Sequence, residues 1–172
     1  MNYITTAQLA ELPGARELAQ VATAMHRPIV DSALMEATLR NDDRAAWEPE
    51  NIADADDALE RITSTVEQAE SVINGHLAKR RYTLPLSPVP ALVTGWTRDI
   101  TRYFLHKDRL STEGTDPILR AYRDAMKLLQ LVVEGKFTLG AEDQLVNDPN
   151  RLDVRFSSDE NVFSRTELKH FR

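Results

Sequence analysis

The sequence predicts an all-α protein: a small helical bundle built on one long helix, with an extended C-terminal tail. Three observations carry that expectation. Residues 55 to 77 hold an apolar series, Ala55, Leu59, Ile62, Val66, Ala69, Ile73 and Leu77, in steps of three and four. That spacing marks one face of a helix of roughly six turns, and such a stripe is covered by other helices. Two later stretches, from Pro90 and from Pro117, repeat the same period, and each opens on a proline, which suits the first turn of a helix.

Before the long helix the chain reads as short pieces. Thr6 caps a helix through Leu12, Pro13-Gly14 interrupts it, and a second piece runs from Ala15 to Ala24. Pro28 suits the first position of a helix from Ile29 to Arg40, in which Val30, Leu34 and Ala37 share one side. The polar, proline-broken stretch from Asn41 to Glu50 reads as a loop whose Trp47 packs on its own domain. The long helix is expected to begin near Ala53, with Asp54, Asp56 and Asp57 in its first turn, at the positive end of the helix dipole. Gly75 falls inside its apolar pattern, where glycine costs about 1 kcal/mol relative to alanine. A close approach there by another helix, or by the connection from Tyr82 to Leu86, is the expected compensation.

The helix opened by Pro90 runs to about His106, with Leu92, Val93, Trp96, Ile100, Tyr103 and Phe104 facing inward. After a polar break, Asp116-Pro117 joins a capping residue to a first-turn proline. Leu119, Tyr122, Met126, Leu129 and Val133 then follow before Gly135. Beyond Gly140 the character changes. Asn147 to Asn150 form turns, Leu152 to Phe156 alternate as a short strand does, and Ser164 to Glu167 have capping-box spacing ahead of Leu168 and Phe171. The expected organisation is an N-terminal helical segment with an acidic loop (1–52), a helical core (53–140) and an extended tail ending in a short helix (141–172).

Length and composition agree with one body carrying appendages: 172 residues, 42% of them hydrophobic, are enough for an ordinary core. Cysteine is absent, which removes disulfides, thiolate metal sites and cysteine nucleophiles together. No apolar run approaches the length of a membrane span, and the opening Met1 to Thr6 lacks the basic and apolar regions of a signal peptide. The protein is therefore expected to begin near Met1, to stay in the cytoplasm where it is made, and to have no membrane partner.

The net charge of -6 is unevenly placed, with twelve acids against four bases in residues 1–60 and two acids against seven bases in residues 79–109. An acidic and a basic face suit self-association better than uniform nucleic-acid binding. Within the basic part, Arg98 and Arg102 stand one turn apart on the expected outer face of their helix, beside Lys79, Arg80, Arg81, Lys107 and Arg109. They are candidates for phosphate contact, or else form a solvated face or a basic edge that pairs with the acidic part of a neighbouring subunit; the absence of a recognition-helix motif or an interleaved aromatic set favours the latter alternatives over phosphate contact.

The chain carries no cluster that announces catalysis. His26, His76, His106 and His170 lack paired ligand spacing, no glycine-rich phosphate loop precedes a helix, and no serine or threonine sits in a nucleophile elbow. The reading is of a helical building block without cofactor or metal, not an enzyme.

The order of the motifs adds a family resemblance. The long helix ends Ile73-Asn74-Gly75-His76-Leu77-Ala78. Arg81-Tyr82-Thr83-Leu84-Pro85-Leu86, Val89-Pro90 and Asp99-Ile100-Thr101-Arg102-Tyr103 follow it. Tyr122-Arg123-Asp124-Ala125, Leu128-Leu129, Glu134-Gly135-Lys136 and Val162-Phe163-Ser164-Arg165-Thr166-Glu167-Leu168 continue the series. In order and spacing it resembles the head-tail adaptor, or head-completion, family of Mu-like tailed phages and prophages, most densely over residues 53–140. Residues 13–52 look longer than that family's front.

The resemblance implies an all-helical virion subunit at the head-tail junction. It would form a ring, dodecameric in the family, between the portal and the stopper or tail-side proteins, with DNA passing through the centre. An acidic subunit fits a conduit that does not hold DNA tightly. Arg80, Arg81, Arg98 and Arg102 are then the candidate contacts to an adjacent subunit, and Phe156, Phe163, Leu168 and Phe171 the anchors by which the tail docks on portal or a neighbour. A DNA-binding or packaging accessory is the alternative, resting on the same arginines, and a small helical enzyme is the third class.

Overall fold

The computed structural model describes residues 1–107, 109 and 116–140, and among these all regular structure is helical. The helices are α1 (Thr6–Leu9), α2 (Ala15–Ala22), α3 (Ser32–Arg40), α4 (Pro49–Ala78), α5 (Ala91–His106) and α6 (Pro117–Val133). A tight irregular turn, Ala10–Gly14, joins α1 to α2 around an extended Leu12.

Local chemistry sets where each helix starts, and at four starts it differs from the expected position; at α5, Pro90 is not a first-turn residue but the extended N-cap ahead of Ala91. Thr5, not Thr6, caps α1, in a capping box with Gln8. Asp31, not Pro28, opens α3, its carboxylate accepting from Ala33 N at 2.9 Å and Leu34 N at 3.2 Å. Pro49, expected in a loop, is instead the first residue of α4, because a first-turn proline forfeits no hydrogen bond and its fixed φ is already helical. Asp54 and Asp56 therefore lie past the first turn, where they pair with Arg27 and Arg44 of the preceding segment. Asp116 and Pro117 open α6 in the expected manner.

α4 is the spine. Its 30 residues extend about 45 Å at 1.5 Å per residue. The two halves of its single buried stripe meet different partners. Ala55, Ala58, Ile62 and Val66 pack with Ile4, Leu9, Leu18, Leu34, Met35 and Leu39 of the N-terminal segment, with Trp47 partly buried against them. Ala69, Ile73 and Leu77 pack with Val93, Trp96 and Ile100 of α5 and with Ala125, Leu129 and Val132 of α6. Residues of the N-terminal segment share a core with the first half of α4, and the described residues fall within one compact unit.

Tyr3 belongs to the second core although it stands at the start of the chain. A buried carboxylate holds it there. Glu70 Oε1 accepts from Asn2 N at 2.6 Å and from Tyr3 N at 2.8 Å, and Glu70 Oε2 accepts from Asn2 Nδ2 at 3.2 Å. The Tyr3 hydroxyl bonds Asn74 Oδ1, and Thr94 Oγ1 donates to Tyr3 O at 2.9 Å. Burial raises the Tyr3 phenol above its ordinary range, a bond from Leu86 N lowers it, and the Glu70 charge raises it further.

Two packing expectations need correction. Leu92, expected inward, is 37% exposed on the first turn of α5, where Val93, Trp96 and Ile100 take the inward positions. Gly75 has no close neighbour among the described residues: a Cβ built there meets none of them within 4 Å. Its position in α4 is turned away from Ile73 and Leu77, so no described element needs the missing side chain.

Candidate functional site

The basic residues singled out from the sequence sit in two different settings. Arg80 and Arg81 follow α4, where Arg81 takes a left-handed conformation (φ +62) and Tyr82 N reaches back to Leu77 O, closing the helix in the manner of a Schellman turn. Arg80 lies across Gly135, itself at φ +74, with its guanidinium 3.0 Å from where a Cβ would stand. Arg81 is exposed and makes no ion pair with a described residue.

Arg98 and Arg102 on α5 are engaged within the chain. Arg98 Nε lies 3.5 Å from Asp99 Oδ1. Arg102 forms a two-point pair with Glu17 of α2, Nη2 to Oε2 at 2.6 Å and Nε to Oε1 at 2.5 Å, and His106 Nε2 stands 2.9 Å from the same Oε1. Burial pushes the Glu17 carboxyl upward, but the bonds and charges of Arg102 and His106 outweigh it and hold the group below the usual carboxylate range. Arg109 adds a bond to Gln20 O at 2.8 Å. This side of α5 fastens α2 to the bundle, a role that nothing in the local spacing of Arg98 and Arg102 reveals.

Phe156, Phe163, Leu168 and Phe171 lie outside the described residues. Among the described residues no group of acids and histidines is placed to hold a metal ion, and no helix is long and apolar enough to cross a membrane. One concave region, about 520 Å³, is a broad open groove between α2, α4 and α5. Val21, Phe104 and Leu105 line it together with Asp57, Glu60 and Arg61.

The sequence profile described as Bacteriophage Mu, Gp36 matches residues 3–157, which is most of the chain. The chain belongs to the Bacteriophage Mu Gp36 family. It is similar to the "Mu-like prophage FluMu protein gp36" of Haemophilus influenzae, 30% identical over 141 residues that make up 82% of this chain and 94% of that protein. It is also similar to "Gene product J" of Escherichia phage Mu, 32% identical over 113 residues, covering 65% of this chain and 75% of the relative. No solved structure matches it.

On the surface of this Gp36-family chain, two charged stripes stand out that counting charges by sequence block does not isolate. On α6, Arg120, Arg123 and Lys127 are exposed and spaced three and four residues apart, opposite the buried Ala125, Leu129 and Val132. On α4, Asp57, Glu60 and Glu67 are exposed opposite the buried stripe of that helix. Beside α6, Tyr103 and Tyr122 stack with ring centroids 3.9 Å apart, half-buried, and burial raises the Tyr122 phenol, helped by its Tyr103 neighbour.

Proposed function

We propose that this protein is a structural virion component, a head-tail adaptor. It forms a ring between the portal and the stopper or tail-side proteins at the head-tail junction, and DNA passes through it without tight binding. The observation that carries the reading is the family membership across residues 3–157, joined to the all-helical fold of the described residues. Support also comes from the surface: an acidic chain of net charge -6 carries segregated exposed charge, which suits contact with copies of itself more than capture of a polyanion. Arg81, exposed just beyond α4 with Arg80 beside it, is the arginine of the expected set best placed to meet a neighbour. Arg98 and Arg102 act first within the subunit. Phe156, Phe163, Leu168 and Phe171 are the proposed anchors of the tail on portal or on an adjacent subunit.

Electron microscopy of the purified protein, alone and mixed with its portal, tests the reading. Rings coaxial with the portal are expected, and protein that never joins the portal overturns it. A packaging accessory is the second reading, favoured by the exposed stripe Arg120, Arg123 and Lys127. Tight binding to duplex DNA with a steep salt dependence would support that alternative.

A further inference from the structure

We infer that neighbouring subunits meet through two helical faces of opposite charge, the outer face of α4 in one copy and the outer face of α6 in the next. The inference rests on the ring reading above and names its contact. Opposite its buried stripe, α4 presents Asp57, Glu60, Ser64, Glu67 and Ser71, all exposed, in steps of three and four. Opposite its own buried stripe, α6 presents Arg120, Arg123, Lys127 and Gln130, exposed and in the same steps. The two runs are matched in length, since 57–67 and 120–130 each cover about 15 Å of helix. Glu60, Glu67, Arg120, Arg123 and Lys127 make no ion pair with any described residue, and Asp57 has only a 3.4 Å contact with Arg61 on the same helix. Asp124 flanks the α6 run to one side and pairs with no described residue.

The occupant of each face is a second copy of this chain, because one chain carries both members of the pair with equal spacing and opposite sign. The residues between the charges favour it too. Ser64, Ser71 and Gly75 give α4 a low surface, and Gly75, which no described part of its own subunit approaches, removes a side chain from the path of an approaching helix. The two faces differ, so the contact is heterologous: each subunit offers α4 on one side and α6 on the other, and repetition closes into a ring or runs on as a filament. Exposed ion pairs are weak singly, so the contact is salt-sensitive and gains strength from the number of neighbours.

The test uses two full-length variants. One carries Glu60→Lys and Glu67→Lys, and the other Arg120→Glu, Arg123→Glu and Lys127→Glu. Circular dichroism of each is expected to match the native protein, because all five positions are exposed. Assembly is read by sedimentation velocity at low salt and by microscopy on portal. Each variant alone is expected to stay monomeric, since its two faces now carry like charge, while an equimolar mixture regains assembly by alternating the two. Two outcomes would overturn the contact while leaving the ring reading in place. One is variants that assemble alone as the native protein does. The other is folded variants whose mixture fails although native protein assembles. Native protein that assembles neither in solution nor on portal would sink the ring reading itself. If the α6 variant loses only its binding to a duplex oligonucleotide and assembles normally, that stripe faces DNA and the contact is again overturned.

Discussion

Replacing Glu70 by alanine tests how the start of the chain is held. Glu70 is 4% exposed, and its Oε1 accepts two backbone N–H groups, those of Asn2 and Tyr3. Alanine leaves the Tyr3 N–H buried without an acceptor, which costs about 1–3 kcal/mol, whereas the Asn2 amide, at an exposed residue, turns to water. Release of the strap also weakens the packing of Tyr3, itself 2% exposed. Loss of the carboxylate's own desolvation cost offsets part of this. The net expectation is a loss of about 2–4 kcal/mol, or roughly 5–15 °C in melting temperature for a chain of this size. Glu70→Gln separates the causes. Its amide oxygen keeps both backbone bonds, and only the contact of Oε2 with Asn2 Nδ2 needs rearrangement, so the cost falls to about 1 kcal/mol. Denaturant unfolding of the three proteins, with hydrogen exchange at the Tyr3 amide, is the assay. An unchanged midpoint for Glu70→Ala, or equal losses for the two variants, would refute the argument that backbone bonds to the buried carboxylate fasten the strap.

Three further expectations follow from named contacts. Glu17→Gln should lower stability by about 1–2 kcal/mol at neutral pH, as expected for hydrogen bonds to a charged, partly exposed group. Because the folded Glu17 pKa is depressed, this stabilisation is present above the unfolded carboxylate value and is lost as pH falls through the folded one; a gap between native and variant unfolding curves that persists in strong acid would contradict it. Gly75→Ala should stabilise the free subunit by up to about 1 kcal/mol through helix propensity, since the added Cβ meets open space, and a lower melting temperature would show a close contact there. Ile62→Ala, at a position with 0% exposure in the first core, should cost about 2–5 kcal/mol, and an unchanged denaturant midpoint would mean that the buried face of α4 is wrongly assigned.

The helices themselves were legible because they are local. The three-and-four apolar steps of α4, α5 and α6, and the Asp116-Pro117 start, follow from geometry within a few residues, and the all-α class follows from them. The early boundaries were harder because Thr5 and Thr6, or Pro28 and Asp31, compete as starts by chemistry alike enough that only the packed chain chooses. What covers each helix was not legible. A periodic stripe says that a face is buried but not by what, so nothing in residues 55–77 divided α4 between an N-terminal core and an α5–α6 core. The ties that make this division sit far apart in the chain: Glu70 to Tyr3 across 67 residues, and Arg102 to Glu17 across 85. Glu70 left one trace, an acid between Ala69 and Ile73 on the buried side, and Arg102 left none. Gly75 is hard to read for the same reason, because a glycine's cost is written in its helix while its cause lies in whatever approaches, and among the described residues nothing does. The α6 stripe was present in the residue spacing but took on meaning only once burial showed which side of the helix the fold had already used.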